Sequence, residues 1–111
     1  MPIFITQGRY TREAIKGMIT KPEDRADAVS RLFARAGGRL INYYVTFGEY
    51  DFMIIGEAPS ETQMAAILMA AGSSAGITEL RTSLAITSIE AKGAFAAAGD
   101  LAPGFRSPGG A

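Results

Sequence analysis

Two periodicities alternate along this chain and predict its secondary structure. Short apolar runs with β-branched residues and period-two alternation predict four strands, at residues 3–8, 40–47, 52–58 and 78–86. Apolar residues at helical spacing predict a short helix after Thr11, a helix from Pro22 to the Gly37-Gly38 pair, a helix after Ser60, and a last short helix that Ser88 caps and that runs through Phe95. The turn at residues 48–51 joins the second and third strands as an antiparallel hairpin.

The order of these elements is strand, helix, strand, strand, helix, strand. This order predicts an α+β fold of the ferredoxin-like βαββαβ type, in which a four-stranded antiparallel sheet carries its helices on one face. We expect one domain over residues 1–90, and a short helical extension over residues 91–111 that ends in a flexible Gly/Pro tail from residue 99.

The strands are apolar on both faces, although helices cover only one. Phe52 and Ile54 alternate with Met53 and Ile55, so each face of the third strand is apolar. A bare sheet face would expose a large apolar patch, which soluble monomers rarely tolerate. The pattern therefore predicts a homodimer, or a higher homo-oligomer built on it, that packs sheet against sheet. The alternative is a monomer with a few exposed aromatic side chains.

Composition narrows the classes of function. The 111 residues carry 11 basic and 11 acidic side chains, so zero net charge gives no electrostatic basis for binding nucleic acid or an anionic membrane. The chain has no cysteine and no histidine, which excludes a thiol nucleophile, a thiolate or histidine metal site and histidine-ligated haem. We expect no cofactor and no metal. No membrane span or signal peptide is visible, so a cytoplasmic soluble protein is expected.

Three segments together resemble the GYD domain family. They are the opening residues 2–6, the Arg39-Leu40 pair before the tyrosine-bearing strand, and Gly48-x-Tyr50-Asp51 followed by apolar residues. The likeness covers about residues 1–90 and leaves out the tail. It implies the dimeric α/β-barrel superfamily, in which two ferredoxin-like sheets form one barrel. It implies no particular activity, since that superfamily includes cofactor-free monooxygenases, haem-dependent enzymes, isomerases and ligand-sensing domains.

The Tyr50-Asp51 pair is the first candidate for chemistry. Asp51 could act as a base and Tyr50 as a hydrogen-bond donor to a small oxygenated ligand. The structural alternative, which we favour, is that Asp51 binds backbone amides of the turn while the Tyr50 ring is buried.

Further polar candidates lie on the strands. Tyr43 and Tyr44 point to opposite faces, so one of them could line a pocket or fill an interface. Arg81 could bind a ligand carboxylate or form an ion pair with Glu57 or Glu79. Arg9, near the end of the first strand, is a further ligand-binding candidate, and Tyr10 beside it is another polar residue near that strand end.

Taken together, these features predict a small dimeric barrel protein that binds or transforms a small organic molecule without metal or haem. The sequence leaves open whether it is an enzyme. The alternative from another class is a non-catalytic structural, interaction or stress-associated module.

Overall fold

A four-stranded antiparallel sheet forms the centre of the protein, in a computed structural model that describes residues 1–110. The strands lie in the order β2-β3-β1-β4. Along the chain the elements are β1 (Ile3–Tyr10), α1 (Arg12–Thr20), α2 (Arg25–Arg35), β2 (Arg39–Val45), β3 (Phe52–Glu57), α3 (Glu61–Gly72), β4 (Ile77–Ala85) and α4 (Ser88–Leu101). This confirms the predicted ferredoxin-like α+β fold and the β2-β3 hairpin.

Side-chain caps set the starts of the helices. The hydroxyls of Thr11 and Ser60 accept hydrogen bonds from backbone N–H groups of the first turns of α1 and α3. The prediction that the second helix begins at Pro22 is wrong. That helix begins at Arg25 because the Asp24 carboxylate accepts a hydrogen bond from the Ala26 N–H and so occupies the cap position.

The core lies between α2, α3 and one face of the sheet. Its buried residues are Phe4, Phe33, Phe52, Ile54, Ala58, Met64 and Ile67. A Cβ on Gly56 would lie 2.4 Å from the Phe33 ring, so the glycine lets α2 pack directly on β3. Burial of these side chains against one sheet face fixes which strand residues point toward the helices.

A β-bulge changes the predicted alternation of β2. Its register against β3 shifts between Leu40 and Asn42. As a result Leu40 and Tyr43 both pack against the core, although strict alternation predicted that they would point to opposite faces. Beyond the bulge, Tyr43 lies on the helix side and Tyr44 is half exposed.

The other sheet face carries no helix among the described residues and is called the open face below. Ile5 and Ile55 are directly paired at its centre, and Met53 is paired with Tyr44 beside them. None of these four side chains is fully buried. The apolar patch predicted from the alternation of β3 is therefore present and uncovered in the single chain.

Helix α4 differs from its prediction at both ends. Thr87, not Ser88, is the cap, and it forms a reciprocal capping box with Glu90. The helix continues to Leu101 rather than ending near Phe95, and a 3₁₀ turn follows at Ala102–Gly104. Within residues 1–110, no helix is long and apolar enough to cross a membrane.

Candidate functional site

A cleft of ≈ 470 Å³ lies between α1, the segment that leads into α2, and the carboxyl end of β2. Its apolar walls are formed by Ile15, Met18, Ile19, Val45 and Phe47, and its polar groups come from Tyr10, Glu23, Asp24, Arg25, Tyr43, Thr46 and Asp51. The volume falls within the range of small-molecule pockets, about 300–1,000 Å³. Apolar walls with a few converging polar groups are typical of such pockets.

Two tyrosine hydroxyls meet in this cleft. Tyr10 ends β1 and Tyr43 lies near the end of β2, and their hydroxyl oxygens share a hydrogen bond. Both rings pack against Phe52 of β3, with centroid distances of 5.1 Å for Tyr10 and 6.1 Å for Tyr43. Because β1 and β2 both run antiparallel to β3, their carboxyl ends lie at the same end of the sheet. The fold thus fixes the phenol pair from three strands.

The Tyr43 hydroxyl stays protonated throughout the ordinary pH range. Burial raises the pKa of Tyr43 well above its usual value, and the hydrogen bond with Tyr10 raises it further. A neutral phenol can donate one hydrogen bond and accept others. Tyr43 is therefore suited to bind a ligand hydroxyl or carbonyl rather than to supply a phenolate.

Asp51 anchors the turn that closes the cleft. One carboxylate oxygen accepts a hydrogen bond of 2.9 Å from the backbone N–H of Tyr10. The Asp51 backbone also bridges two strands, since its N–H donates to the Gly8 carbonyl at 2.9 Å and its carbonyl accepts from the Thr46 N–H at 2.8 Å. The Asp51 carboxylate therefore binds a backbone amide of β1 rather than the amides of its own turn that the structural alternative named, and the role of Asp51 stays a prediction. Its position on the cleft wall also leaves the carboxylate beside any bound ligand.

The charge in the cleft is predominantly negative. Glu23, Asp24 and Asp51 supply carboxylates, whereas Arg25 is the one cation among the lining residues. Arg25 is held by Glu23 in an ion pair of 3.3 Å. The Asp24 carboxylate caps α2 and the Asp51 carboxylate accepts a hydrogen bond from the Tyr10 N–H. These backbone contacts do not cancel their negative charge. A ligand carboxylate entering this cleft would meet like charge, whereas a neutral or cationic ligand would not.

The structure separates the residues that the sequence grouped as one candidate site. Tyr43 and Asp51 line the cleft, but Tyr50, Arg9 and Arg81 line a different depression of ≈ 390 Å³ with Glu49, Glu79 and Leu80. The Tyr50 and Asp51 side chains thus do not line one cleft, and a catalytic role for either stays a prediction. The two side chains line different depressions, because Tyr50 lies under Arg9 while Asp51 faces Tyr10.

In the second depression the Arg9 guanidinium lies 5.7 Å from the centre of the Tyr50 ring. Arg9 Nε is also 3.1 Å from the Glu79 carboxylate, but the contact lacks hydrogen-bond alignment and Nε has no hydrogen-bond partner within residues 1–110. Glu79 stands at a positive φ of 54° next to the β-bulge of β4. The depression is thus a mixed-charge surface patch rather than an apolar pocket.

Arg81 forms neither of its two expected ion pairs. Glu79 pairs with Arg9 instead, and Glu57 pairs with Arg39 at 2.8 Å. Within the described part of the chain, no carboxylate lies at ion-pair distance from Arg81, and its side chain is exposed. Its role as a ligand-binding residue stays a prediction, and it does not line the cleft that holds the tyrosine pair.

Sequence reasoning did not select the partner of Tyr43. Tyr10 stood out only as a polar residue near a strand end, yet it contributes both a hydroxyl and a backbone N–H to the cleft. The strand order of the predicted fold could have indicated this pairing of Tyr10 with Tyr43, because it places the ends of β1 and β2 on either side of β3. Ile15 and Ile19 of α1 are exposed on the cleft wall. Among residues 1–110 no group of three acidic side chains is placed to hold a metal ion.

Comparisons with known proteins agree with this architecture. A family model described as the GYD domain matches residues 4–95. Three solved structures share the fold over 78–79% of this chain. FFRP-DM1 has a TM-score of 0.50 and 18% identity, with all of its chain covered. TTHA0845 from Thermus thermophilus has a TM-score of 0.53 and 16% identity, with 96% of its chain covered.

The third structure is the transcriptional regulator NMB0573 from Neisseria meningitidis in complex with L-Met, with a TM-score of 0.57 and 11% identity. The match spans 51% of that regulator. Identities this low establish a shared fold only. No curated protein matches the sequence significantly.

Proposed function

The chain belongs to the GYD domain family, and from that premise we propose that it is a small-molecule-binding domain whose ligand occupies the cleft beside α1. The main support for this proposal is the hydrogen-bonded pair of Tyr10 and Tyr43 in an apolar cleft of ≈ 470 Å³. A part-buried pair of hydroxyls provides orientation and specificity, while apolar walls provide most of the binding free energy.

The chemistry of the cleft supports a neutral ligand with an aromatic or apolar body and one hydroxyl or carbonyl group. Its lining carboxylates disfavour an anionic ligand, and its only cation is already paired with Glu23. The ligand class that fits is therefore a phenol or quinol rather than a small carboxylate. No metal or haem is required for this binding mode.

Helix α1 provides a route of entry. It buries no residue completely, and a second space of ≈ 500 Å³ lies on its other side, lined in part by Ala14, Gly17 and Lys21. A helix with so little packing has a low free-energy cost of displacement. The ligand can therefore enter by a shift of α1 without disturbing the sheet.

The structural neighbour from Neisseria meningitidis supports this class of function to a limited extent. That regulator forms a complex with L-Met, so this fold occurs in a protein that binds a small amino acid. The chain matches about half of that regulator, and its balanced charge gives no electrostatic basis for DNA binding.

The test is thermal denaturation with a matched pair of ligands. 4-Hydroxybenzyl alcohol and 4-hydroxybenzoate share a ring and a phenol but differ in charge. A ligand that binds only the native state at 100 times its Kd stabilises the protein by about 2.7 kcal/mol. We expect the neutral compound to raise Tm and the benzoate to have little effect.

The variant Tyr43→Phe should remove the response to the neutral compound. Tyr44→Phe is the matched control, since Tyr44 precedes the same turn but lies on the open face. The proposed ligand class would be overturned if both variants lost the Tm response to the neutral compound equally. It would also be overturned if the benzoate raised Tm more than the alcohol does.

We also propose that the chain forms a homodimer through its open face. Ile5, Ile55, Met53 and Tyr44 form an apolar patch there, and a second copy would remove it from water. Zero net charge means that two copies do not repel each other strongly. The second candidate function is a non-catalytic interaction module. The large exposed apolar surface favours it, and the proposed homodimer is compatible with it.

A further inference from the structure

Helix α4 is an apolar helix that packs on no other α-helix or strand to a substantial extent within residues 1–110. Every residue from Lys92 to Leu101 is exposed, including Phe95 with 76% of its surface accessible. The helix makes no substantial contact with the sheet or the other helices of the described chain. It projects outward, so the molecule measures 60 × 32 × 22 Å along its principal axes. Its fourteen residues extend over about 21 Å.

This helix has no polar face. Ile89, Phe95 and Leu101 are spaced six residues apart, which places them on three different sides of the helix. A helix that is apolar all round is normally buried rather than laid on a surface by one stripe. The exposed arrangement is therefore incomplete, and some other surface must cover α4.

Helix propensity leads to the same conclusion. Isolated helices shorter than about 12–15 residues are marginal in water even when rich in alanine. Helix α4 contains Gly93 and Gly99, which weaken it further, and only its Thr87–Glu90 capping box supports it locally. Such a helix is stable only where tertiary or intermolecular packing holds it.

We infer that α4 is an intermolecular arm that packs on a second copy of this chain, beside the open face. It leaves the sheet after Ala85, which is paired with Ile3 on the border of that face. The start of α4 therefore adjoins the proposed dimer interface. A membrane surface fits less well, because interfacial helices carry a basic polar face and α4 has Lys92 as its only cation.

The area is sufficient for a stable contact. If α4 is treated as a cylinder about 21 Å long and 10 Å wide, and half of its lateral surface contacts the partner, each arm buries about 330 Å². Two arms in a twofold dimer, each with a matching surface on the partner, bury about 1,300 Å² in total, within the range of specific interfaces. Phe95 is the natural anchor, because Ala91 and Ala98, one turn away on each side, leave its ring protruding.

The experiment combines sedimentation velocity with hydrogen exchange on the full chain, over about 1–100 µM. Phe95→Asp is the test variant. Phe105→Asp is its matched control, since Phe105 is equally exposed, at 77%, but lies outside α4. We expect Phe95→Asp to weaken self-association at least tenfold and to remove amide protection from α4, and Phe105→Asp to do neither.

A second measurement identifies the partner surface. The chain has no cysteine, so a single cysteine introduced at Lys92 can carry a photo-crosslinker. We expect crosslinks between copies, to peptides of the open face such as the one that contains Met53.

The inference rests on the proposed self-association, and the outcomes separate the two. A dimer that survives Phe95→Asp unchanged, or unprotected α4 amides in a wild-type dimer, overturns the arm and leaves the sheet dimer standing. A monomer at 100 µM overturns both. Protection of α4 that appears only with phosphatidylcholine–phosphatidylserine vesicles overturns the arm in favour of a membrane surface.

Discussion

Replacing Asp51 tests how the turn beside the cleft is held. Its carboxylate accepts a hydrogen bond from the Tyr10 N–H at 2.9 Å, in a partly buried position. Asp51→Ala removes the acceptor and leaves the backbone donor unpaired. An unpaired buried polar group costs about 1–3 kcal/mol, and partial exposure places this case in the lower part, about 1–2 kcal/mol.

The expected change in melting temperature follows from the size of the domain. For a domain of about 100 residues, 1 kcal/mol corresponds to about 4 °C. Asp51→Ala should therefore lower Tm by about 4–8 °C. Asp51→Asn keeps an oxygen acceptor and loses only the charge assistance, so it should lower Tm by about half as much or less. Thermal denaturation followed by circular dichroism measures both.

Two controls make the test specific. Glu49→Ala lies in the same turn, on an exposed residue without an ion pair among residues 1–110, and should leave Tm unchanged. The Tyr10 amide should exchange with solvent faster in Asp51→Ala than in the wild type, which NMR detects directly. A thermally neutral Asp51→Ala would refute the anchor. A fully stable Asp51→Asn that no longer binds a neutral phenol would assign Asp51 to the ligand instead.

Three further perturbations follow from the structure. Because burial raises the folded-state pKa of Tyr43, the unfolded chain loses this proton first as the pH rises. Stability should fall above about pH 10, and Tyr43→Phe should reduce that fall in alkaline denaturation curves. A Cβ on Gly38 would lie 2.2 Å from the Glu57 carbonyl oxygen, so Gly38→Ala should cost about 1–3 kcal/mol in urea unfolding, whereas Gly48→Ala, with open space, should not. Ile55→Lys should convert the proposed dimer to a folded monomer in sedimentation, and an unchanged dimer would exclude the open face as its interface.

Local patterns determined the elements of this fold. Period-two and helical periodicities depend on backbone geometry alone, so the strands predicted at residues 52–58 and 78–86 agree with Phe52–Glu57 and Ile77–Ala85 to within one residue at each end. Caps are equally local, since a Ser or Thr side chain reaches only its own first turn, as Ser60 does in α3. The order of the elements then left few topologies, and the ferredoxin-like one was correct.

Boundaries without a dominant local signal were less well determined. The predicted start at Pro22 rested on the fixed φ of proline, which suits a first helical position. In the structure the Asp24 cap prevails. The bulge of β2 also has no local marker, because it follows from fitting β2 to the register of β3.

The membership of the candidate site was decided by tertiary structure. Residues 50 and 51 are neighbours in sequence, but Tyr50 lies under Arg9 while Asp51 faces Tyr10. Each orientation depends on a contact with β1, a strand some forty residues earlier in the chain, which no local pattern encodes. The same holds for α4, whose capping signal is local, whereas its lack of substantial packing against the other described α-helices and strands is a property of the assembled fold.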